Sequence, residues 1–382
     1  MSTETVVATI RENVATGSAL RICGRSTWLD AGRPVRASNS LTLRDDTGVV
    51  SYVPGDLVLT VRAGTSLGQV DDITRAHDQW LPLDPFGSPE GSIGATIATA
   101  SAGPLSTTFG LARDLVLGLE FVTGNGDVVR SGGKVVKNVA GFDLSRLVTG
   151  SWGTLGVITE VTLRLYARPK VDRTFTLALP RDAREMSLLL RAIHVSPLAP
   201  FAFELLNGAA ARALQLGVHP ICLIRLGGNA PVVEAQIRSF SQLAPATEVP
   251  VEVWQRLRQL EQHAESVIRV SNLPSRFFAT ASAILGDAPP GVFTYVSPRR
   301  GVLRIVTLPQ TADAEPASEP TISRSFDLPS RDEHFDSVVV FEKLPAEVWP
   351  IVAPSVVANP LSRGIKKAYD PHRILNPGIL GD

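Results

Sequence analysis

Apolar residues recur along this chain with two different periods, and the switches between them mark out its elements. The run Leu20 to Cys23 reads as a short strand that opens into the loop Gly24-Arg25-Ser26-Thr27. A second strand-like stretch, Asp56 to Arg62, follows Pro54-Gly55 and enters Ala63-Gly64-Thr65. Beyond it Leu67, Val70, Ile73 and Thr74 fall at helical spacing, which predicts a helix capped by Thr65 or Ser66 and running to about His77. From Val116 to Arg130 apolar and polar residues alternate on either side of Gly124-Asn125-Gly126, the pattern of a β-hairpin closed by a tight turn.

The texture changes after Val171. Strand-like runs (Phe175 to Leu179, Ile221 to Leu226, Gly301 to Thr307) alternate with helical ones (Ala183 to Ile193, Val232 to Leu243, Val253 to Val267), which predicts a compact α+β unit. The polar, proline-bearing stretch from Pro309 to Asp336 reads as an exposed loop, and Trp349 to Asp382 as a helix followed by an extended tail.

Composition narrows what such a chain can do. Its 382 residues, 44% of them apolar, are enough for two hydrophobic cores. Lys plus Arg (37) equals Asp plus Glu (37), so the basic footprint of a nucleic-acid binder or polybasic membrane anchor is missing. No apolar run approaches the length of a membrane span, and the segment Met1 to Arg11 lacks a basic region followed by an apolar stretch, so a cytoplasmic location is expected. Cys23 and Cys222 stand in unrelated contexts, too few for a self-contained iron–sulfur cluster. The histidines, His77, His194, His219, His263, His334 and His372, include no two at metal-ligand spacing, and no metal is expected.

The segment richest in candidate chemistry follows Pro82-Leu83-Asp84-Pro85-Phe86-Gly87-Ser88-Pro89-Glu90. From Gly91 to Gly103 almost nothing exceeds threonine in size, apart from Ile93 and Ile97. Small side chains let a backbone approach a large planar or phosphorylated ligand, and Ser92 at a helix start would aim free N–H groups at a pyrophosphate. The same composition suits a helix packed tightly between two sheets. Gly150, Gly153 and Gly156 force a sharp backbone path before the apolar run that follows, so the loop Gly153 to Thr159 is a second place where main-chain groups could meet a ligand. Gly124 and Gly126 belong to the hairpin turn; with no Gly-x-Gly-x-x-Gly and no Walker motif anywhere, a nicotinamide-binding Rossmann domain is not expected.

Together with Thr108-Phe109-Gly110-Leu111-Ala112-Arg113-Asp114, these segments resemble the PCMH-type FAD-binding domain of the vanillyl-alcohol oxidase and p-cresol methylhydroxylase superfamily. Within it, Lys137-Asn138-Val139-Ala140-Gly141-Phe142-Asp143-Leu144-Ser145-Arg146-Leu147 and the terminal Asp370-Pro371-His372-Arg373-Ile374-Leu375-Asn376-Pro377-Gly378 are similar to the FAD-binding subunit of glycolate oxidase. The resemblance is strong from Asp56 to Pro169 and clear in the tail, whereas Val171 to Pro354 carries no motif that aligns. It implies an α+β fold in three parts: a two-part PCMH-type FAD-binding domain over residues 1–170, an α+β cap over 171–345, and a C-terminal helix and tail, 346–382, returning to the flavin domain.

The resemblance also implies non-covalent FAD. Gly24, Arg25, Ser26 and Thr27 would meet the pyrophosphate with Ser92, Gly94 and Ala95; Thr99, Ser101, Ala102 and Gly103 would follow the dinucleotide toward the ring. Gly156, Val157 and Ile158 would contact the adenine side or the ribose, and Asn376 the isoalloxazine edge, although Asn-Pro-Gly is by itself a strong turn signal. Pro82, Gly91, Ile93, Ala98 and Gly110 complete the expected cofactor-binding set. Two departures matter: Gly24-Arg25-Ser26-Thr27 is poorer in glycine than the usual loop of the family, and no histidine or cysteine stands where flavin is attached covalently in other members.

The implied activity is FAD-dependent oxidation of the CH–OH group of a small 2-hydroxy acid to a 2-oxo acid, within a glycolate oxidase-like complex. Its partners would be a second, related FAD-binding subunit and an iron–sulfur subunit, with membrane association only through them. The histidine cluster of related enzymes that oxidise D-2-hydroxy acids is missing, so no catalytic residue is assigned. Two alternatives stay open: an assembly subunit whose FAD is structural, and a stand-alone FAD-dependent alcohol or hydroxy-acid oxidase. Arg113 and Arg146 lie in matched motifs, but ion pairs with Asp114 and Asp143 are the simpler expectation. A bulky residue at Gly94 is expected to fill the space of the cofactor.

Overall fold

Contacts divide the chain into two units, Met1–Arg168 with Ala346–Asp382, and Pro169–Pro345. The computed structural model describes residues 1–133, 143–286, 289, 291–309, 337–351 and 359–381, without the side chains of 278–280. The motif residues Lys137 to Phe142, the predicted loop beyond Pro309, His334 and part of the segment after Trp349 lie outside the described residues.

In the first unit, β1 (Leu20–Cys23) and β2 (Asn39–Thr42) pair in parallel. The strands β3 (Val49–Val53), β4 (Val58–Arg62), β6 (Val116–Val122), β7 (Val128–Gly132) and β8 (Val157–Arg164) form an antiparallel sheet in the order β3-β4-β8-β6-β7, and β5 (Gln79–Trp80) pairs with β9 (Tyr166–Ala167). The hairpin expected around Gly124-Asn125-Gly126 is β6–β7, with Gly126 at φ 79°, a backbone that glycine adopts without a Cβ penalty. The predicted helix after β4 is α2 (Leu67–Arg75). Its cap is Ser66 and not Thr65: Ser66 Oγ accepts from Gln69 N–H at 3.1 Å while Gln69 Oε1 accepts from Ser66 N–H at 2.9 Å, a reciprocal capping box.

The N-terminal helix α1 (Thr3–Thr16) was not legible as a long periodic run. It is held by Val6 and Ile10, one turn apart and both fully buried, and by Ser2 and Gly17 at its ends. Glu120 on β6 ties it down, accepting from Thr3 Oγ1 and Thr159 Oγ1 at 2.8 Å each and from Arg130 Nε at 2.8 Å.

In the second unit one antiparallel sheet has the order β13-β10-β12-β11-β15-β16-β14-β17. The strands are β10 (Val171–Ala178), β11 (Ala202–Leu206), β12 (Ile221–Gly228), β13 (Thr247–Val249), β14 (Ser266–Ser271), β15 (Val292–Ser297), β16 (Val302–Thr307) and β17 (Val338–Lys343). Cys222, Ile224 and Leu226 of β12 join Leu190, Phe240 and Phe277 from the helices Ala183–Val195, Ala230–Ser241 and Pro274–Leu285 in one core. Residues of the opposite parity carry a buried polar network: Arg304 donates to Glu261 through Nε and Nη2 at 2.6 Å each and to Glu342 at 2.6 Å, and Tyr295 Oη donates to Glu261 at 2.7 Å. The helix expected over Val253 to Val267 ends at Gln259, and from Ser266 the chain is strand β14, paired with both β16 and β17. The β-branched Val267, Ile268 and Val270 are buried between two strands, and this tertiary pairing overrides the helical reading where the two overlap, at Ser266 and Val267. Among the described residues no helix is long and apolar enough to cross a membrane.

Candidate functional site

The loop that leaves β1 and the helix α3 (Ile93–Thr99), capped by Ser92, face each other across a cleft in the first unit. Their approach is set by glycine: a Cβ on Gly24 would stand 2.2 Å from Ser92 Oγ. From the first loop Gly24, Arg25, Ser26 and Thr27 line the cleft, and from the small-residue run Gly91, Ser92, Gly94, Ala95, Ala98, Thr99 and Ser101. Gly156, Ile158 and Asn376 reach the same wall from elsewhere in the chain. Pro82, Ile93, Ala102, Gly103, Gly110 and Val157 do not. Each of three of these has another reason for its identity. Ile93 is fully buried in the core, a Cβ on Gly103 would stand 1.6 Å from Asp84 O, and Gly110 adopts φ 89° beside Asp114.

The expected donors at the start of α3 are already used. Ile93 N–H donates to Thr65 O at 2.9 Å, Gly94 N–H to Ala63 O at 2.8 Å, and Ala95 N–H to Ser92 Oγ at 3.4 Å. Gly94 is small because α3 lies against the end of β4: a Cβ there would meet Ala63 Cβ at 2.7 Å and Ala63 O at 3.0 Å. A bulky residue at Gly94 therefore strikes the backbone of the protein before it reaches the cleft, which corrects the expectation for that position.

The donors available to an anion lie on the loop opposite. Among the described residues none accepts from the N–H groups of Gly24, Arg25, Ser26 or Thr27. Gly24 O accepts from Thr42 Oγ1 at 3.2 Å and Arg25 O from Arg44 Nη2 at 2.8 Å. In a trans peptide N–H opposes C=O, so the N–H groups of Arg25 and Ser26 are turned away from Thr42 and Arg44 respectively. Ser26 stands at φ 63°, a left-handed conformation uncommon for a residue with a Cβ. Arg25 Nε is shut from solvent and has no acceptor among the described residues. Successive unpaired N–H groups beside an arginine, facing a wall of glycine, alanine, serine and threonine, fit the diphosphate of a dinucleotide such as FAD.

The tail motif assembles the far wall. Asn376, 4% exposed and at φ 45°, accepts from Ile22 N–H through Oδ1 at 2.7 Å and donates from Nδ2 to Trp152 O at 2.8 Å, so its amide joins β1 to the loop before β8. Lys366, on the helix Pro360–Tyr369, donates to Asp370 Oδ2 at 2.8 Å, Thr154 O at 2.9 Å and Leu375 O at 3.1 Å, and Asp370 in turn accepts from Ile374 and Leu375 N–H. Asp-Pro-His-Arg-Ile-Leu-Asn-Pro-Gly is thus a clasp around the glycine-rich loop.

Several wall residues escaped the sequence reading. Trp28 and Trp152, with ring centroids 6.5 Å apart, and Ile379 all line the cleft, as do Pro85 to Ser88. The Pro-Phe-Gly-Ser sequence was the available signal for the last group. Cys23 is also on the wall, where burial pushes its thiol up from the usual range against the opposing effect of Arg21, so the reactive thiolate is disfavoured. Of the two arginines in matched motifs, Arg146 pairs with Asp143 at 3.2 Å; Asp114 instead accepts from Leu111 N–H at 2.9 Å, and the pairing with Arg113 is not formed.

Comparison with known proteins bears on the family and the fold. Residues 1–132 match a family model for an FAD binding domain. The chain is 33% identical over 259 residues to glycolate oxidase subunit GlcE of Escherichia coli (strain K12), across 65% of this chain and 66% of that one. It is 28% identical to a D-2-hydroxyglutarate dehydrogenase of Xanthomonas citri pv. viticola across 99% of this chain and 87% of that protein. It is 28% identical to glycolate oxidase subunit GlcD of Bacillus subtilis (strain 168), with the match covering 72% of this chain and 58% of the relative. Among solved structures, 4-ethylphenol oxidase from Gulosibacter chungangensis superposes with a TM-score of 0.71 over 100% of this chain and 88% of its own, at 16% identity. Alkyldihydroxyacetonephosphate synthase does so with 0.68 over 98% and 74%, also at 16% identity. These last two likenesses establish the fold, a mixed α+β arrangement. The chain binds FAD and is a PCMH-type FAD-binding oxidoreductase related to the glycolate oxidase, D-lactate dehydrogenase and D-2-hydroxyglutarate dehydrogenase family.

Proposed function

We propose that the chain oxidises the CH–OH group of a small 2-hydroxy acid to a 2-oxo acid, with non-covalent FAD held in the cleft. The observation that carries this reading is the similarity to a D-2-hydroxyglutarate dehydrogenase along 99% of this chain, joined to a cleft whose donors suit a dinucleotide. Bound FAD supplies the acceptor for the hydride that leaves the alcohol carbon. The loop from Gly24 to Thr27 holds the diphosphate through its unpaired N–H groups; Ala95, Ala98, Thr99 and Ser101 form a small-residue wall; Asn376 and Lys366 fix the loop that carries Trp152 and Gly156. Burial of Cys23 supports dissociable rather than covalent cofactor. With only two cysteines, the chain has too few thiolates for a four-cysteine iron–sulfur cluster of its own, so electrons leave to an acceptor outside it.

The near full-length similarity to a protein named as a dehydrogenase favours a chain that catalyses by itself. A second reading, motivated by 33% identity to glycolate oxidase subunit GlcE, makes it the FAD-bearing member of a complex with a related FAD subunit and an iron–sulfur subunit. Anaerobic addition of D-2-hydroxyglutarate, D-lactate or glycolate to the purified, FAD-loaded chain separates them. Bleaching of the flavin band by one of these acids is the expected result. Bleaching only after the partner subunits are co-expressed would favour the complex, and no bleaching under either condition would sink the proposal.

A further inference from the structure

The negative charge of FAD resides on its diphosphate, and among the described residues the charged side chains lining the cleft are Arg21 and Arg25, with no carboxylate. Arg21 is engaged by Leu29 O. Arg25 is held differently: Nη2 donates to Glu90 Oε2 at 3.1 Å, while Nε is buried without an acceptor among the described residues. Nε and Nη2 form one edge of the guanidinium fork, the edge that grips carboxylate or phosphate with two parallel hydrogen bonds. Glu90 uses half of that edge and leaves the other half unsatisfied inside the protein, a costly arrangement for a charged donor.

Glu90 itself is loosely placed. Its side chain is 62% exposed, whereas the turn beneath it is fixed by Gly91 N–H to Ser88 O at 3.0 Å and by Gly68 N–H to Pro89 O at 3.0 Å. The carboxylate can therefore swing into solvent without moving the main chain. A diphosphate lying on the unpaired N–H groups of Gly24 to Thr27 is next to the Arg25 side chain, and two of its oxygens can satisfy both halves of the fork.

From these contacts we infer that Arg25 exchanges Glu90 for the diphosphate of FAD, and that Glu90 is a built-in competing anion that weakens cofactor binding. The inference rests on the reading that this cleft holds the cofactor with its diphosphate at the first loop. Arg25 adds a side-chain cation beside the main-chain donors of the loop. The exchange makes affinity depend on one exposed ion pair and leaves the cofactor dissociable.

FAD titration of the full-length chain, stripped of cofactor, tests this with Arg25→Gln, Glu90→Gln and the double variant. Arg25→Gln is expected to weaken FAD about tenfold or more, the loss of a charge-assisted bidentate contact. Glu90→Gln is expected to tighten it by about two- to fivefold, the scale of an exposed ion pair. In the double variant the effect of Glu90→Gln should vanish. ADP should follow FAD through the series, and riboflavin, which lacks phosphate, should be indifferent to it. Glu90→Gln without effect, a gain that persists when Arg25 is gone, or riboflavin shifting as much as ADP would each overturn the exchange. A wild-type chain that took up no FAD would sink the cofactor reading as well; one that binds FAD and ADP while ignoring Glu90→Gln would sink the exchange alone.

Discussion

Asn376→Ala separates two roles for the residue that the family resemblance places at the flavin edge. The side-chain amide is spent on the protein: Ile22 N–H would lose its acceptor at 2.7 Å, and Trp152 O its donor at 2.8 Å. Each orphaned group costs about 1–3 kcal/mol. The residue also stands at φ 45°, where alanine is less at ease than asparagine by about 1 kcal/mol. Taking the low end of each, the cofactor-free chain should lose about 3 kcal/mol. Urea unfolding followed by tryptophan fluorescence reads this, because Trp28, Trp80, Trp152 and Trp349 all lie in the first unit and Trp254 in the other. Asn376→Asp should lose less, since a carboxylate can keep the bond from Ile22 while setting an oxygen against Trp152 O. If Asn376→Ala left the cofactor-free stability within about 1 kcal/mol of wild type and yet weakened FAD tenfold, the amide would be a cofactor ligand and the clasp argument would be wrong.

Lys366→Met leaves the fully buried Asp370 without its cation and should cost about 3–5 kcal/mol by the same unfolding measurement; a loss below about 1 kcal/mol would refute the clasp. Gly94→Leu is expected to give insoluble protein even when excess FAD is supplied, because its side chain meets Ala63 first; a soluble, FAD-replete variant would show that α3 has room to move. Glu120 supplies a pH dependence. Burial raises its carboxyl, but hydrogen bonds from Thr3, Thr159 and Arg130 outweigh that and hold it below the usual glutamate range. Its contribution is therefore complete above the unfolded-state value of about 4.3 and is lost as pH falls through the lower folded-state value. Glu120→Gln should flatten the acid side of the stability profile, seen as a smaller drop in urea midpoint between about pH 7 and about pH 3; an unchanged acid limb would count against the argument.

What the chain sequence determined by itself is whatever a few neighbouring residues can settle. Leu20–Cys23 is a strand, Gly124 to Gly126 closes a hairpin, and helices begin after Thr65 or Ser66 and at Ser92, because side-chain period, φ preference and capping act within one turn of the chain. Composition marked Gly91 to Gly103 as a place of close approach, but not what approaches. Only the tertiary structure decided that Gly94 yields to Ala63, that the first N–H groups of α3 are occupied by carbonyls of Thr65 and Ala63, and that the unpaired donors lie on the loop after β1 instead. Likewise Asn-Pro-Gly announces a turn, while the partners of Asn376, Ile22 and Trp152, are separated from it by 354 and 224 residues. The same holds for the start of β14, where Val267 reads as the end of a helix until strands on both sides claim it. Hydrogen-bonding capacity is written in each residue, but which group uses it depends on what the fold brings within about 3 Å, and that distance has no counterpart along the chain.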